Sequence, residues 1–267
     1  VVVLSPTGVV ISSFTASGSA ISPILSDVFI PDESGYCYFG TKQGVIYKNK
    51  YPDIATNVVS RNLADRITSD IRAYYYEPPA KIYVGTENGY VFKISTSATD
   101  LWTPIQLSGS VVKQPSIDEG FTQQGGVGVS SLWWGTTNGY VYRLALNDGL
   151  LLSSTYTASA ITTDIIYDAG FYNQSLNSLN VYFGCKDGRI YCRYGLTLSS
   201  VPVNWHDVNL GSKINGLSFD PENKFLYVSC DNGVYKLDAL TGNTSWYYYT
   251  PSAVISEVFI YGMYWGD

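Results

Sequence analysis

A short motif that recurs five times is the feature that most constrains the fold of this chain. Each copy joins two β-branched and aromatic segments through a turn that contains glycine. The copies occupy residues 36–44, 82–89, 132–139, 181–188 and 226–233. In the last four, the turn ends in Asn-Gly or Asp-Gly, dipeptides typical of a two-residue type I′ hairpin in which both residues adopt positive φ. The motif therefore predicts five β-hairpins, four of them with type I′ turns.

Two further strands are expected beside each hairpin. Short apolar segments follow the hairpins at 101–102, 150–152, 204–205 and 245–247, and small-residue corners lead into other apolar segments at 109–112, 158–161, 211–214 and 251–254. The motif returns after about 45 to 50 residues, the length of one propeller blade. No helical periodicity competes with this pattern, so we expect an all-β chain.

The two ends of the chain complete the count of blades. Segment 3–8 matches 237–242, so the chain begins with the last two strands of a blade, and 256–267 supplies the first two strands of one. We therefore predict a six-bladed β-propeller of four-stranded antiparallel blades, closed by two N-terminal plus two C-terminal strands, which removes exposed sheet edges. The blades of this single domain (1–267) are expected at about 20–60, 66–107, 111–156, 160–210 and 213–250, with 254–267 plus 1–14 forming the sixth.

The clearest copy of the repeat resembles a known family. Residues 237–242, Leu-Asp-Ala-Leu-Thr-Gly, followed by Trp246, are similar to the PQQ-like (quinoprotein-type) propeller repeat. The resemblance implies a propeller fold over nearly the whole chain. Quinone enzymes of that family carry an adjacent cysteine pair and a calcium site, and neither pattern occurs in this sequence. The resemblance therefore implies the scaffold branch of the family, without a cofactor, and a PQQ- or calcium-dependent enzyme is the alternative.

Composition narrows the class of function. Only 14% of the residues are charged, against about 25% in ordinary soluble domains, so hydroxyl and amide groups must keep the surface soluble. We expect such a surface on an extracellular protein, at a cell envelope or on a virion. The net charge of −6 argues against nucleic-acid binding. No apolar run reaches the roughly 18 residues of a membrane span.

Groups that support catalysis are scarce. His206 is the only histidine, which excludes His-rich zinc sites, and we expect it to be a surface residue on an outer strand. No nucleophile-elbow motif is present, so we predict that the chain is not an enzyme. The four cysteines, Cys37, Cys185, Cys192 and Cys230, are expected to be free buried thiols. A disulfide between Cys185 and Cys192 is the less favourable alternative on geometry.

Three acidic residues share one register of the repeat. Asp70, Asp164 and Glu257 fall near the start of the innermost strands of blades two, four and six. Innermost strands line a propeller channel, so these carboxylates are candidates for a ring that holds a cation or a polar ligand through oxygen atoms. The alternative is structural, with each carboxylate bonding backbone N–H groups at its corner.

Tyrosine is the other candidate for function, with 24 copies. We single out six as recognition aromatics: Tyr74, Tyr75, Tyr76, Tyr172, Tyr247 and Tyr248. Exposed tyrosine makes a recognition surface of low conformational entropy, whereas packing between blades is the alternative role. Asn173 and Asn243 begin N-glycosylation sequons, which matter if the chain is secreted.

Together these features favour a non-catalytic extracellular propeller that recognises a protein or glycan on a surface. We expect it to be a domain of a cell-surface or virion appendage protein, as part of a larger polypeptide or a homo-oligomer. A periplasmic or envelope assembly scaffold, which would add peptide strands to blade edges, is the alternative.

Overall fold

The computed structural model describes residues 1–20, 25–26, 35–74, 81–118, 130–168, 180–195 and 197–256. Within these ranges the chain forms 22 β-strands and no helix, as predicted for an all-β protein. The strands build one two-stranded sheet and five four-stranded sheets. The chain divides into two compact units, Val1–Pro115 and Ser116–Asp267.

The sheets follow one another along the sequence. The N-terminal hairpin pairs β1 (Val2–Leu4) with β2 (Val10–Ser13). Sheet 1 contains β3 (Leu25–Ser26), β4 (Tyr36–Gly40), β5 (Val45–Lys50) and β6 (Asn57–Asn62); sheet 2 contains β7 (Arg72–Tyr74), β8 (Lys81–Gly85), β9 (Tyr90–Ser95) and β10 (Ile105–Gln106). Sheet 3 contains β11 (Val111–Asp118), β12 (Ser131–Thr136), β13 (Tyr140–Ala145) and β14 (Leu151–Tyr156). Sheet 4 contains β15 (Ile166–Asp168), β16 (Asn180–Gly184), β17 (Arg189–Tyr194) and β18 (Val208–Asn209), and sheet 5 contains β19 (Ile214–Asp220), β20 (Phe225–Cys230), β21 (Gly233–Asp238) and β22 (Thr244–Tyr249). Consecutive strands are hydrogen-bonded neighbours in every sheet.

The hairpin turns differ from the predicted type I′ geometry. In sheet 2, the Gly89 N–H donates to the carbonyl of Thr86 at 3.1 Å, and the Thr86 N–H donates to the carbonyl of Tyr90 at 2.9 Å. The loop therefore has three residues, and Gly89 has a φ of +85° whereas Asn88 does not have positive φ. The Thr86 hydroxyl accepts a hydrogen bond from the Tyr90 N–H at 3.1 Å. In sheet 2 the type I′ prediction is wrong because this side-chain bond closes a longer turn, in which only the glycine is left-handed. In sheet 5 Cys230 pairs with Gly233 across a loop of two residues, but neither loop residue has the positive φ that type I′ requires.

The outer strands of sheets 2 and 4 also lie later than expected. The predicted segments 101–102 and 204–205 precede β10 and β18 and belong to neither strand. Trp102 and Trp205 are buried instead, edge-to-face against Tyr83 and Tyr182 at centroid distances of 5.9 and 5.6 Å. The large indole rings of Trp102 and Trp205 are thus packed in the core, and the outer strands begin after them. His206 follows Trp205 directly and is exposed, ahead of the outer strand rather than on it.

The small-residue corners connect one sheet to the next. Segments 158–161 and 251–254 were expected to be strands, but neither lies in a strand, and 211–214 enters one only at Ile214. Ile161, Ile214 and Val254 donate their N–H groups to the hairpin of the preceding sheet, at 3.1 to 3.2 Å. These amides are bonded across sheets and therefore do not extend the ladder of their own sheet.

An aromatic residue and a cation face each other across the two central strands of four sheets. The pairs are Tyr38 with Lys48, Tyr83 with Lys93, Trp133 with Arg143, and Tyr227 with Lys236. Each cation lies 5.6 to 6.0 Å from the ring centroid, within the range of a cation–π interaction. We call the side of the sheet that bears this pair its aromatic–cation face. In sheets 1 to 3 the three cations are only 5 to 8% exposed.

Candidate recognition surface

Strand β22 is the most exposed outer strand of the described sheets. All six of its residues are exposed, whereas exposed and half-buried residues are mixed in β6 and β14. Residues 246–249 are Trp-Tyr-Tyr-Tyr, and their side chains are 44 to 68% exposed. The structure therefore exposes the predicted Tyr247 and Tyr248, together with Trp246 and Tyr249, which we did not single out from the sequence.

Tyr247 and Tyr249 form a cluster with Tyr235 on one side of sheet 5. The centroid distance between Tyr247 and Tyr249 is 4.7 Å, and their distances to Tyr235 are 5.8 and 6.2 Å. Tyr235 is buried at the base of this cluster. Burial, together with the neighbouring Tyr249 phenol, raises the pKa of Tyr235 to about 12. The cluster therefore presents two exposed phenol rings beside a third that is buried in sheet 5.

Trp246 and Tyr248 point to the opposite, aromatic–cation face of sheet 5. Trp246 lies edge-to-face against Tyr227 at 6.3 Å, and the Lys236 ammonium lies 3.7 Å from the Phe225 ring centroid. The equivalent residues of sheet 2, Trp102, Tyr83 and Lys93, are buried. In sheet 5, by contrast, Tyr227 and Lys236 are half-exposed and Trp246 is exposed. This face has the composition of a packing surface, so Trp246 and Tyr248 differ in kind from Tyr247 and Tyr249.

A second tyrosine cluster lies at the equivalent place on sheet 3. Tyr140 contacts Tyr142 and Tyr156 at centroid distances of 5.5 and 4.8 Å, and the Tyr156 side chain is exposed. Its outer strand otherwise carries Ser153, Ser154 and Thr155. Sheet 3 thus has one exposed outer tyrosine where sheet 5 has three, and it serves as an internal comparison for β22.

The other predicted aromatic residues are not brought to this surface by the described structure. Tyr74 is the last residue of β7, and the structure describes its main chain only. Tyr75, Tyr76 and Tyr172 lie outside the described residues. Their role in recognition stays a prediction.

The predicted acidic ring also stays a prediction. Asp70 and Asp164 are half-buried at equivalent corners, ahead of β7 and β15, and Glu257 lies outside the described residues. At these corners the hydroxyls of Ser69 and Thr163 accept hydrogen bonds from strand amides, at 2.7 and 2.9 Å. No three His, Cys, Asp or Glu residues within the described ranges lie close enough to hold a metal ion.

One of the two glycosylation candidates, Asn243, lies among the described residues. Asn243 is exposed in the turn between β21 and β22, three residues before Trp246. Its carbonyl accepts the Asp238 N–H at 2.8 Å, and its N–H donates to the Thr241 hydroxyl at 3.3 Å. Asn173 lies outside the described residues. A glycan on Asn243 would therefore stand at one end of β22.

The four cysteines are buried thiols. None of them is in a disulfide, as expected. Burial raises the pKa of Cys185 to about 12 and raises the pKa of Cys192 further. A thiol that stays protonated is a poor nucleophile, so Cys185 and Cys192 are not reactive thiolates.

Comparison with known proteins identifies the fold. No protein family model matches the chain, and no curated protein matches it in sequence. Among solved structures it is similar to BamB from Moraxella catarrhalis (TM-score 0.60, 16% identity, 86% of this chain and 62% of that one) and to Sqt1 from Saccharomyces cerevisiae (0.68, 16%, 84% and 60%). It is also similar to BBS1N, solved in complex with ARL6DN (0.62, 15%, 89% and 71%).

These likenesses establish the class of fold, a β-propeller, and confirm the coarse prediction of repeated antiparallel sheets. The chain spans about three fifths of the length of BamB and of Sqt1. The finer resemblance to PQQ-like repeats has no matching family model and stays a prediction. No helix in the described part of the chain is long and apolar enough to cross a membrane.

Proposed function

We propose that this propeller is a non-catalytic recognition module that binds another protein through strand β22. The observation that carries the proposal is the exposed pair Tyr247 and Tyr249, which lie on the side of sheet 5 opposite to its aromatic–cation face. Each such side chain can bury about 150 to 250 Å², and tyrosine and tryptophan are enriched at the centres of protein interfaces. The solved complex of the similar propeller BBS1N with ARL6DN adds support for protein recognition by this fold.

The tyrosine cluster is suited to recognition because it is already ordered. Tyr235 is buried in sheet 5 and contacts both outer rings. Less side-chain entropy is therefore lost when a partner covers Tyr247 and Tyr249 than when it orders mobile side chains. Tyrosine also combines an apolar ring with a hydroxyl that can bond a polar partner.

The test is capture of proteins from the native source on the immobilised full chain, compared with matched variants. A partner that binds the wild-type chain should lose most of its affinity for the double variant Tyr247→Ser with Tyr249→Ser. The control Tyr156→Ser removes an exposed tyrosine from sheet 3 and should bind normally. Equal binding by all three proteins would overturn the assignment of β22.

Other ligand classes are separated by the same variants. Binding of oligosaccharides on a glycan array, lost in the Tyr247 and Tyr249 double variant, would replace a protein by a glycan as the ligand. The alternative of a quinone enzyme predicts dye reduction after equilibration with PQQ and calcium. We expect neither quinone absorption nor dye reduction.

We further propose that the chain works outside the cell, on a cell envelope or a virion. The low charged fraction and the excess of tyrosine support this location. Protease treatment of intact cells or virions should remove the chain if it is displayed on their surface. Full protection until the envelope is broken would place it elsewhere, as an assembly scaffold requires.

We also propose that a sixth blade closes the propeller. Val254 donates its N–H to the carbonyl of Cys230 and accepts a hydrogen bond from the Asn215 amide at 3.0 Å. Ile214 makes the equivalent bonds to Cys185 and to the Thr162 hydroxyl, at the residue where sheet 5 begins. The chain after Val254 thus leaves sheet 5 as earlier corners leave their sheets. A blade built from that segment and the N-terminal hairpin would cover the aromatic–cation face of sheet 5.

A further inference from the structure

We propose that β22 takes an extended segment of its partner as an added strand of sheet 5. This inference rests on the proposed function, because it specifies how β22 binds. The added strand would bond the main-chain groups of Tyr247 and Tyr249, while its side chains lie beside the exposed aromatic rings. The partner segment is uncharged and rich in β-branched and aromatic residues.

The first step is the direction of the main-chain groups of β22. The Thr250 N–H donates to the carbonyl of Asn232 at 3.1 Å, and the following register pairs Gly233 with Tyr249 and Val234 with Tyr248. In an antiparallel ladder, hydrogen-bonded and non-bonded pairs alternate. Tyr248 therefore bonds β21, and Tyr249 does not.

The same alternation assigns the rest of the strand. Trp246, two residues before Tyr248, also bonds inward, so Tyr247 and Tyr249 direct their N–H and C=O groups to the open edge. In the described sheets, β22 is the last strand of sheet 5 and has only β21 as a neighbour. Two donors and two acceptors thus stand along this edge, separated by about 7 Å.

This pattern identifies the form of the partner. An extended peptide repeats its own donors and acceptors with the same two-residue spacing, and strand addition uses that match. A helix has satisfied its main-chain groups internally and cannot offer them. The outward main-chain groups of β22 therefore favour an extended peptide as the partner. The exposed rings of Tyr247 and Tyr249 determine which side chains that peptide carries.

The side chains of β22 specify the chemistry of the added strand. Residues 244–249 contain no charged residue and no proline, so β22 lacks two of the devices that protect natural sheet edges from pairing. Cross-strand neighbours of aromatic residues are favourably aromatic or β-branched. An uncharged segment that contains such residues would cover Tyr247 and Tyr249 without burying an unpaired charge.

Strand β14 shows that the edge alone is not the distinguishing feature. It is also six residues long, and the Thr157 N–H donates to the carbonyl of Gly139 as Thr250 does to Asn232. Alternation then directs the main chain of Ser154 and Tyr156 outward. The positions equivalent to Trp246, Tyr247 and Tyr248 are Ser153, Ser154 and Thr155, which offer little surface to an added strand. β14 is therefore the matched control.

The probe is a ten-residue peptide selected from a displayed random library against the immobilised full chain. Two N-methylated forms of the peptide test the backbone, because N-methylation removes a donor and blocks strand pairing. Methylation of alternate residues should weaken binding by about tenfold or more in one form. The form methylated on the intervening residues, whose amides point away from β22, should bind almost as the parent does.

Variants of the protein separate this inference from the proposed function. Tyr247→Pro removes an outward N–H that no described strand uses, at an edge position that tolerates proline, and should abolish binding; Ser154→Pro on β14 should not. Tyr247→Phe keeps the main chain and the ring and should bind the peptide normally. If Tyr247→Ser abolishes binding while both N-methylated peptides still bind, β22 is a recognition surface but strand addition is wrong. If selected peptides bind every variant equally, both proposals fail.

Discussion

The hydroxyl of Thr162 donates a hydrogen bond of 2.6 Å to the main-chain carbonyl of Ile214, 52 residues later and in the next sheet. Thr68 makes the same bond to Val111 at 2.7 Å, and the Asn215 amide does so to Val254 at 3.0 Å. Each donor stands directly after the corner residue of its own sheet. In these three repeats one polar side chain therefore ties consecutive corners together, and its loss would leave a carbonyl without this bond.

The substitution Thr162→Val should lower the free energy of unfolding by about 1 to 2 kcal/mol, the cost of a lost hydrogen bond with a partner left unsatisfied. Thr162→Ser keeps the hydroxyl and should recover most of the loss. Thr155→Val, at a half-buried position on β14, should change stability by less than about 0.5 kcal/mol. Urea unfolding of the three variants measures these differences. Equal stability of the Val and Ser variants at 162 would show that the bond contributes nothing.

A cysteine replaces the usual threonine in the hairpin turn of sheet 4. The Cys185 N–H bonds the carbonyl of Arg189 at 2.9 Å, and the Gly188 N–H bonds the carbonyl of Cys185 at 3.2 Å, as around Thr86 in sheet 2. Cys185→Thr should therefore be accepted, because its hydroxyl can replace the thiol, which donates a hydrogen bond to the Thr157 hydroxyl oxygen at 3.6 Å. The Arg189 N–H already donates to the Asp187 carboxylate at 3.2 Å. Cys185→Val, with similar volume and no hydroxyl, should be less stable than Cys185→Thr by about 1 kcal/mol in urea unfolding. A Val variant as stable as the Thr variant would contradict this account of the turn.

The repeated hairpins could be predicted from sequence because apolar segments and turn glycines recur with a fixed spacing. The turn geometry could not be predicted from the Asn-Gly dipeptide alone, since the threonine before the loop changes its length by closing on the residue after the glycine, as Thr86 does on Tyr90. The outer strands were misplaced at Trp102 and Trp205 because these residues have a composition typical of strands. Composition alone does not distinguish a residue that pairs in a sheet from one that is buried outside the strands.

The candidate site was only partly accessible to sequence reasoning. The run of tyrosines drew attention to β22, but periodicity alone does not say that Tyr235 supports Tyr247 and Tyr249. The aromatic–cation pairs were missed, although alternation would have placed Tyr83 and Lys93 on one side of their hairpin. Which residues pair across the hairpin depends on the length of the turn. Because the turn type was predicted wrongly, the pairing of Tyr83 with Lys93 could not be read from the sequence.

Stability should decrease at alkaline pH, in part through Tyr235. Burial raises the pKa of Tyr235 to about 12 from an ordinary value of 10.0, so the folded chain keeps this phenol protonated where the unfolded chain loses the proton. This contribution to stability is complete below about pH 10 and is lost as the pH rises towards about 12. Tyr235→Phe should therefore lose less stability than the wild-type chain between about pH 8 and about pH 11 in urea unfolding.

The free energy of unfolding of Tyr235→Phe should still decrease with rising pH. Burial also raises the pKa of Tyr191 and of Tyr182, and both phenols remain in Tyr235→Phe. Tyr248→Phe, at an exposed position, serves as the control and should follow the wild-type profile. Identical profiles for all three proteins would show that Tyr235 titrates normally in the folded chain.

The reactivity of Lys236 should report whether a sixth blade covers sheet 5. Lys48 and Lys93 occupy equivalent positions and are buried, whereas Lys186 is exposed. In a closed propeller the ammonium of Lys236 would lie between two blades, so acylation by an N-hydroxysuccinimide ester should be as slow as at Lys93. Mass spectrometry of peptides from the briefly labelled full chain gives the rate at each lysine, and the rate at Lys186 sets the scale for free access.

Deletion of residues 257–267 identifies what covers this lysine. If the sixth blade is built from that segment, its removal should raise acylation of Lys236 to the rate of Lys186. Lys93 should stay protected, because it is buried among the described residues. Protection of Lys236 that persists after the deletion would mean that another part of the chain covers the face. Rapid labelling of Lys236 in the full chain would contradict closure, since the aromatic–cation face of sheet 5 would then be open to solvent.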